Sequence, residues 1–505
     1  MTKDEDLLKL YQKLDEMQIY VHTMHILNYD ISTASPIKGM EDTNRDINLF
    51  SEIVYKMQKD EKFINLVKKI KNRKDFSSFN VYDRRLIELL DKDIERNKKV
   101  TKKFKKEADE VFTNAYVSWL KAKNNNSYKE FEPTLKKVYE IESKRAILEN
   151  SREKNLYNTI FNDYEEGFTT DDLDIFFDEI ERELVPLVSR IRNAKYQPRH
   201  DFINRKVPIY KQEQFSKFLL EKNGYDFSRG TLSKTEHPFT DQLSYNDVRV
   251  TTHYYEDNFI SNMYSIIHEG GHALFGQNVP KEVFTHRLGE SCLTMAKHES
   301  VSRFYENVVG RSKEYLSSIY PTFRELFKDE FSDVTLNDLY EGVNYVDFNN
   351  PIRTEADELT YSLHILIRYK LERKIMVGKV DFKNLNEEWN RLYKEILGVD
   401  VKDDKEGILQ DVHWSSGFGY FPTYALGNAL NCMYVKKLDQ EIYLADTVQR
   451  GRMDLLLQWM SKNVFAKAPL YDTKTWIKKI TGEEFSAKPY IEYLKKKFLS
   501  IYHLI

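Results

Sequence analysis

The chain has 505 residues, 41% of them hydrophobic and 31% charged, with a formal net charge of -3 at pH 7. This composition excludes a disordered chain, the slight acidic excess argues against a nucleic-acid partner, and no run of about eighteen apolar residues is present to span a membrane. Cys292 and Cys432 give no disulfide framework, and the charged N-terminus lacks the apolar core of a signal peptide, so we expect a cytoplasmic protein.

Helical periodicity dominates the chain, which contains only 12 prolines and 18 glycines. From Asp4 to about Asn28, Leu7, Leu10 and Leu14 recur at three- and four-residue spacing, which predicts a first helix. Similar patterns predict helices over 43–72, 81–123, 128–152, 171–194, 257–276, 293–310, 355–374, 383–397, 420–440 and 450–463.

The stretch 92–110 is rich in lysine and resembles a basic patch, but its acidic residues and helical period favour a solvated helix face. Alternating Val, Thr and Tyr predict a strand over 244–255. A second, weaker strand is predicted over 204–211, where Pro208 counts against it. The fold class is therefore mainly α, with a small β-sheet beside the helix at 257–276.

Neither an internal repeat nor a low-complexity linker divides the chain. We therefore expect a single domain over 1–505, with a helical N-terminal half at 1–235 and a catalytic half at 236–505 that carries the motifs described next.

The sequence HEGGH at 268–272 lies inside a predicted helix and matches the H-E-x-x-H signature of zinc metallopeptidases. At about 100° per residue, His268 and His272 share one face, where both imidazoles can bind one metal ion, and Glu269 lies beside them. Gly270 falls on the apolar back of the helix, where it would let another element approach closely. Gly271 borders the histidines, where it would leave room for a substrate backbone. The alternative is a surface helix with two histidines by accident.

A catalytic zinc of this kind needs one more protein ligand and an open position for water. The predicted helix at 293–310 offers Glu299, which shares a face with Ser302, Arg303 and Glu306. Taken alone, Glu299 and Arg303 would form an ordinary i,i+4 ion pair. Together with HEGGH, the pattern favours Glu299 as the third ligand.

Six motifs in order resemble those of the carboxypeptidase Taq family of metallocarboxypeptidases, and they span 237 to about 430. They are HPF at 237–239, DVRVT at 247–251, HEGGH at 268–272, HES at 298–300, IRTEAD at 352–357 and GILQDVHW at 407–414. The resemblance implies His268, His272 and Glu299 as metal ligands and Glu269 as the general base. It also implies a helical fold with a deep groove similar to that of neurolysin, and a homodimer. One divalent metal ion per chain is expected, with zinc as the default and cobalt as the alternative.

Peptide hydrolysis also needs a donor for the developing oxyanion and, in an exopeptidase, a cation for the terminal carboxylate. His413 and Tyr420 lie seven residues apart in a glycine-rich aromatic loop and are the candidates for the oxyanion, although a merely packed aromatic loop is the alternative. A guanidinium suits two carboxylate oxygens better than a lysine does. Arg353 is the first candidate for the carboxylate because of the family resemblance, and a structural arginine paired with Glu355 or Asp357 is its alternative.

Arg249 on the predicted strand is the second candidate for the terminal carboxylate, and His237 and Gln410 in the motif blocks are further candidates for binding the peptide. The predicted function is metal-dependent removal of C-terminal amino acids from peptides. An oligopeptidase or endopeptidase with the same site, and a helical scaffold with a structural metal, are the alternatives.

Overall fold

The computed structural model describes residues 4–289 and 293–505, and helices account for most of them. The helices are α1 Glu5–Thr33, α2 Met40–Gln58, α3 Glu61–Lys71, α4 Val81–Lys99, α5 Lys102–Asn124, α6 Tyr128–Glu149, α7 Leu156–Phe161, α8 Thr170–Arg192, α9 Ile209–Asn223, α10 Phe259–Asn278, α11 Lys281–Thr285, α12 Met295–Arg303, α13 Lys313–Leu326, α14 Leu336–Val343, α15 Tyr361–Met376, α16 Leu385–Leu392, α17 Pro422–Ile442, α18 Leu444–Gln449, α19 Met453–Met460, α20 Thr473–Thr481 and α21 Lys488–Ile501. The strands are β1 Leu232–Lys234, β2 Thr240–Ser244 and β3 Asp247–Thr252. The mainly α prediction is confirmed.

Capping residues explain why two long predicted helices are each divided in two. The side chain of Asp60 accepts a hydrogen bond from the backbone amide of Lys62 and caps the start of α3. The helix predicted over 43–72 is therefore divided into α2 and α3. Thr101 caps α5 through the amide of Phe104 and divides 81–123 in the same way. The lysines between 92 and 110 are exposed while Ile94, Phe104 and Ala108 are buried, which confirms the solvated face.

The strand predicted over 204–211 is wrong. Pro208 stands directly before α9, which begins at Ile209, and the amide of Val207 pairs with the carbonyl of Glu256 rather than with a strand. Proline is well suited to this position because its fixed φ favours the start of a helix. The sequence thus did not predict α9, and it also did not predict α7, α11, α13, α14, α18, α20 and α21.

The chain forms two compact units. The first comprises Met1–Asn97, Asn204–Leu293 and Arg450–Tyr471. One of its cores joins α1, α3 and α4 through buried residues that include Leu10, Val67 and Ile87. Its three-stranded sheet has the order β1-β3-β2, with β1 parallel and β2 antiparallel to β3.

The sheet lies directly against α10, the helix that carries HEGGH. A Cβ atom added to Gly276 would lie 3.2 Å from the Val248 side chain on β3, so glycine lets the sheet and the helix approach without displacing Val248. The amide of Gln242 on β2 donates to the carbonyl of Gly276 at 3.0 Å. The predicted sheet beside the HEGGH helix is therefore present.

The second unit comprises Lys98–Ile203, Thr294–Gln449 and Asp472–Ile505. Inside it, α12 packs closely along α17, and α15 packs against α8 and α17. Leu363 and Leu366 of α15 are fully buried, as their spacing predicts. This unit holds Glu299 and the whole segment 413–424.

Candidate metal centre and catalytic groups

The histidines of HEGGH project from the same face of α10. Asn258 caps this helix by accepting a hydrogen bond from the amide of Ser261. The rings of His268 and His272 have centroids 4.9 Å apart, as expected for residues four positions apart on a helix. Both imidazoles are partly exposed, so the nitrogen donors of α10 are accessible to a ligand.

The face of α10 opposite the histidines is buried, and Gly270 allows another helix to pack closely against it. Met263, Ile266 and Leu274 have no solvent exposure. A Cβ atom on Gly270 would lie 2.8 Å from the Leu220 Cδ2 atom of α9. Glycine at this position costs the helix about 1 kcal/mol relative to alanine, and it allows the close approach of α9.

Glu269 is 9% exposed and has a partner on the sheet. The hydroxyl of Thr240 on β2 lies 2.8 Å from the Glu269 carboxylate and 2.9 Å from the carbonyl of the same residue. A hydroxyl has one proton to donate, so it serves these two acceptors in turn. The hydrogen bond from β2 therefore holds the Glu269 carboxylate in a fixed orientation.

Glu299 lies on α12, where two side chains of its own helix hold its carboxylate. The Arg303 Nε atom donates to Glu299 Oε1 at 2.8 Å, and the Ser302 hydroxyl lies 3.2 Å from Oε2. The i,i+4 ion pair expected from the sequence is therefore present, and both of its members are largely buried. The guanidinium of Arg303 also lies 4.0 Å from the ring centroid of Tyr361.

A glycine on α17 leaves the space that the Glu299 side chain fills. A Cβ atom on Gly427 would lie 2.9 Å from Glu299 Cγ and 3.1 Å from Glu299 Cβ. Since non-bonded carbon atoms prefer separations of about 3.5–4.0 Å, no larger residue fits without displacing the glutamate.

The ligand atoms of His268, His272 and Glu299 all lie within 4.8 Å of one another. Donors bound at about 2.1 Å to one tetrahedral zinc ion are about 3.4 Å apart, a spacing that small side-chain rotations would produce from this arrangement. Two imidazoles and one carboxylate are also a known ligand set of catalytic zinc sites, which keep a fourth position open. The donor set therefore fits a catalytic divalent metal.

His413 and Tyr420 lie together in the second unit, with ring centroids 5.3 Å apart. The Tyr424 hydroxyl lies 3.2 Å from His413 Nε2. Burial, together with the cationic Arg353 and Arg368, lowers the pKa of His413 to about 4 against the opposing effect of Asp411. The imidazole is therefore neutral at pH 7 and keeps one N–H to donate.

Arg353 is 6% exposed and makes an ion pair that the sequence did not indicate. Its Nε and Nη2 atoms donate to Asp411 Oδ1 at 3.0 and 2.8 Å, and its Nη1 atom donates to the Tyr361 hydroxyl at 3.2 Å. Arg368 donates to the other oxygen of Asp411 at 2.8 Å. The two guanidinium groups hold the pKa of Asp411 well below its usual range, although burial opposes them.

These contacts place two guanidinium groups against Asp411. The neighbouring His364 is kept neutral because burial, Arg368 and Arg353 all lower its pKa. Arg368 also interacts with the carboxyl group of Glu372, whereas Arg353 is paired with Asp411, which it shares with Arg368. Arg353 is therefore the guanidinium that would attract a further anion.

The three remaining candidates, Gln410, Arg249 and His237, differ in how many hydrogen bonds they make with other residues of the chain. The Gln410 amide oxygen accepts from the Arg353 amide and from Arg368, both at 2.8 Å, and its nitrogen donates to two backbone carbonyls. Arg249 on β3 forms a two-pronged pair with Asp247 at 2.9 and 2.8 Å. His237 is exposed, just before β2.

Sequence reasoning missed Thr240, Asp411, Tyr361 and Tyr424. Asp411 could have been identified from the sequence, because it is an acidic residue between two candidate site residues, Gln410 and His413. The other three give no pattern of their own. Cys432 is buried, whereas Cys292 lies outside the described residues.

Comparison with known proteins gives one consistent result. The sequence pattern of the carboxypeptidase Taq (M32) metallopeptidases matches residues 9–498. The chain is 33% identical over 500 residues to carboxypeptidase 1 of Bacillus subtilis, covering 98% of each chain. It superimposes with a TM-score of 0.95 on the crystal structure of the M32 carboxypeptidase from Deinococcus radiodurans, at 29% identity and with 99% and 100% of the two chains covered. The structure of Pyrococcus furiosus carboxypeptidase gives a TM-score of 0.94 at 31% identity, again with 99% and 100% covered.

Proposed function

Because the chain belongs to the carboxypeptidase Taq (M32) family of metallopeptidases and is a metallocarboxypeptidase, we propose that His268, His272 and Glu299 hold its metal ion. The observation that carries this assignment is the convergence of their ligand atoms within 4.8 Å. The ligand set of two histidines and a glutamate supports zinc as the metal, with cobalt as the alternative.

A bound divalent ion would supply Lewis-acid chemistry, polarising the scissile carbonyl and acidifying the attacking water. Glu269 is the proposed general base, which takes the proton of that water and later delivers it to the leaving amine. Its place next to His268 and its hydrogen bond from Thr240 support this role, because a base needs a fixed orientation to meet a proton within hydrogen-bond distance.

His413 and Tyr420 are the proposed donors to the developing oxyanion. A neutral imidazole N–H and a phenol are both donors at pH 7, because the pKa of His413 lies near 4 and burial raises that of Tyr420. Such preorganised donors typically contribute about a hundredfold or more to kcat. The separation of 5.3 Å between their rings supports a shared target.

Arg353 is the proposed partner of the C-terminal carboxylate of the peptide. Arg353 shares the carboxylate of Asp411 with Arg368, which supports this role, since the carboxylate of a peptide would complete the counter-charge of Arg353. Arg249 remains the second candidate for this carboxylate, and His237 and Gln410 remain candidates for contacts with the peptide. The amide of Gln410 already meets four partners of the chain, so it also serves to hold Arg353 in place.

The test compares free-ended and C-terminally amidated versions of one peptide series while free amino acids are measured. The carboxylate hypothesis requires hydrolysis of the free-ended peptides and little hydrolysis of the amidated ones. Metal content is measured beside it: His272→Ala and Glu299→Ala should bind far less zinc than the unmodified enzyme. Wild-type zinc affinity in either variant would contradict the proposed ligand set.

Three further properties belong to this proposal. The match over 9–498 supports a single peptidase domain, with the N-terminal half at 1–235 and the catalytic half at 236–505. No helix among the described residues is long and apolar enough to cross a bilayer. The cytoplasmic location stays a prediction. The homodimer rests on the family resemblance, and light scattering of the purified enzyme tests it.

A further inference from the structure

The two proposed oxyanion donors stand at opposite ends of one short segment, 413–420. It begins with a single tight helical turn at His413–Ser415 and ends just before α17. Gly417 and Gly419 have φ values of +125° and +89°, which only glycine adopts readily. Two i,i+3 backbone hydrogen bonds, at Ser415 and Ser416, stabilise the first turn, so a contact from outside the segment has to fix its second half.

That contact comes from Glu372, a fully buried carboxylate on α15 that has no part in the proposed hydrolysis. Its Oε1 atom accepts from the Trp414 indole N–H at 2.8 Å. Its Oε2 atom accepts from the Gly419 backbone N–H at 3.2 Å and from the Tyr157 hydroxyl at 2.6 Å. The first two donors belong to the segment, and the third lies on α7.

Trp414 directly follows His413, and Gly419 directly precedes Tyr420. One carboxylate therefore holds the segment at the two positions adjacent to its proposed donors. We propose that Glu372 is a positioning residue that fixes the distance between His413 and Tyr420 through Trp414 and Gly419. This inference rests on the oxyanion role proposed for the two donors.

The surroundings of Glu372 fit a buried carboxyl group that is retained for its hydrogen bonds. Burial raises the pKa of this carboxyl to about 7, while the three donors and the cation of Arg368 oppose that rise. A buried carboxylate is costly unless its oxygens are satisfied. Here all three hydrogen bonds satisfy them, and two of the three orient the catalytic segment.

The experiment compares Glu372→Leu, Glu372→Gln and Tyr157→Phe in the zinc-loaded enzyme with a free-ended peptide. Glu372→Leu removes both contacts to the segment, and kcat should fall about ten- to a hundredfold with KM and zinc affinity nearly unchanged. Glu372→Gln keeps one acceptor oxygen, so it retains one of the two contacts to the segment and turns an N–H donor toward the other. Its kcat should therefore lie between those of Glu372→Leu and the wild type. Tyr157→Phe is the matched control: it removes the donor outside the segment and should leave kcat near the wild-type value.

Wild-type kcat in Glu372→Leu would overturn the proposal, and so would an equal loss of kcat in Tyr157→Phe, which would mean that the carboxylate supports the fold alone. If Glu372→Leu does not fold, Trp414→Phe decides, since it deletes only the indole N–H. Its kcat should fall about three- to tenfold at unchanged KM, and no fall would overturn the proposal. His413→Ala and Tyr420→Phe test the underlying assignment separately: wild-type kcat in both would refute the oxyanion role itself.

Discussion

Replacing Gly427 by alanine should weaken metal binding although Gly427 itself is no ligand. The added Cβ would stand 2.9 Å from Glu299 Cγ, about 0.6–1.1 Å closer than a comfortable carbon contact. Such overpacking costs about 1–3 kcal/mol, whereas alanine gains about 1 kcal/mol over glycine inside a helix such as α17. The net loss of folding free energy is therefore about 0–2 kcal/mol, and the protein should stay folded.

The metal site has less tolerance than the fold, because ligand distances must hold to within about 0.2 Å. Relief of the clash shifts Glu299 by more than that, so the Kd for zinc should rise about ten- to a hundredfold. Competition with a chromophoric chelator measures this Kd, and thermal unfolding measures stability beside it.

Ala122→Val is the matched control for this experiment. It adds volume at a fully buried position on α5 of the same unit and should lower stability without changing zinc affinity. Wild-type zinc affinity in a folded Gly427→Ala protein would refute the reasoning, since Glu299 would then either not be a ligand or not be confined by α17.

Glu269→Gln should retain zinc and lose nearly all hydrolysis; near-normal turnover with metal bound would contradict the general-base assignment. Thr240→Val should lower kcat about tenfold with zinc affinity unchanged, whereas Thr240→Ser should retain the activity, as steady-state kinetics would show. Arg353→Ala should lower kcat/KM on free-ended peptides about ten- to a hundredfold and Arg353→Lys only partly restore it; an equal loss on amidated peptides would indicate a structural arginine. The pKa of Glu372 is about 7 in the folded protein and about 4.3 in an unfolded chain. Its contribution to the free energy of unfolding is therefore full below about pH 4 and falls by up to about 3 kcal/mol as the pH rises to 7. Urea unfolding of the wild type and of Glu372→Gln should depend differently on pH in this window, and parallel curves would contradict the shift.

The sequence predicted the HEGGH helix and its two faces well because that pattern is local. A period of 3.6 residues places His268 and His272 together whatever surrounds them, and the buried back of α10 follows from the same period. Gly270 shows the limit of this reasoning. Its position on the packed face follows from the helical period, but its neighbour, Leu220, lies in α9, a helix that the sequence did not predict.

The contacts that orient the site could not be predicted in this way. Thr240 meets Glu269 because β2 packs on α10, and Gly427 meets Glu299 because α12 packs along α17. Neither pair has a spacing rule, since each depends on which surfaces of two elements face each other. A threonine in a strand and a glycine in a helix are also common for purely structural reasons, so no local pattern marks Thr240 or Gly427 as part of the site.

Arg353 shows how a local partner rule fails at a site. The sequence offered Glu355 and Asp357, two and four residues away, as its structural partners. In the fold, Asp357 instead accepts from the amides of Leu359 and Thr360 ahead of α15, and the guanidinium of Arg353 turns inward to Asp411. Asp411 is shared with Arg368, so Arg353 receives only part of the counter-charge of this carboxylate. An arginine can therefore be structural and still attract the carboxylate of a peptide, and the two sequence alternatives for Arg353 do not exclude each other.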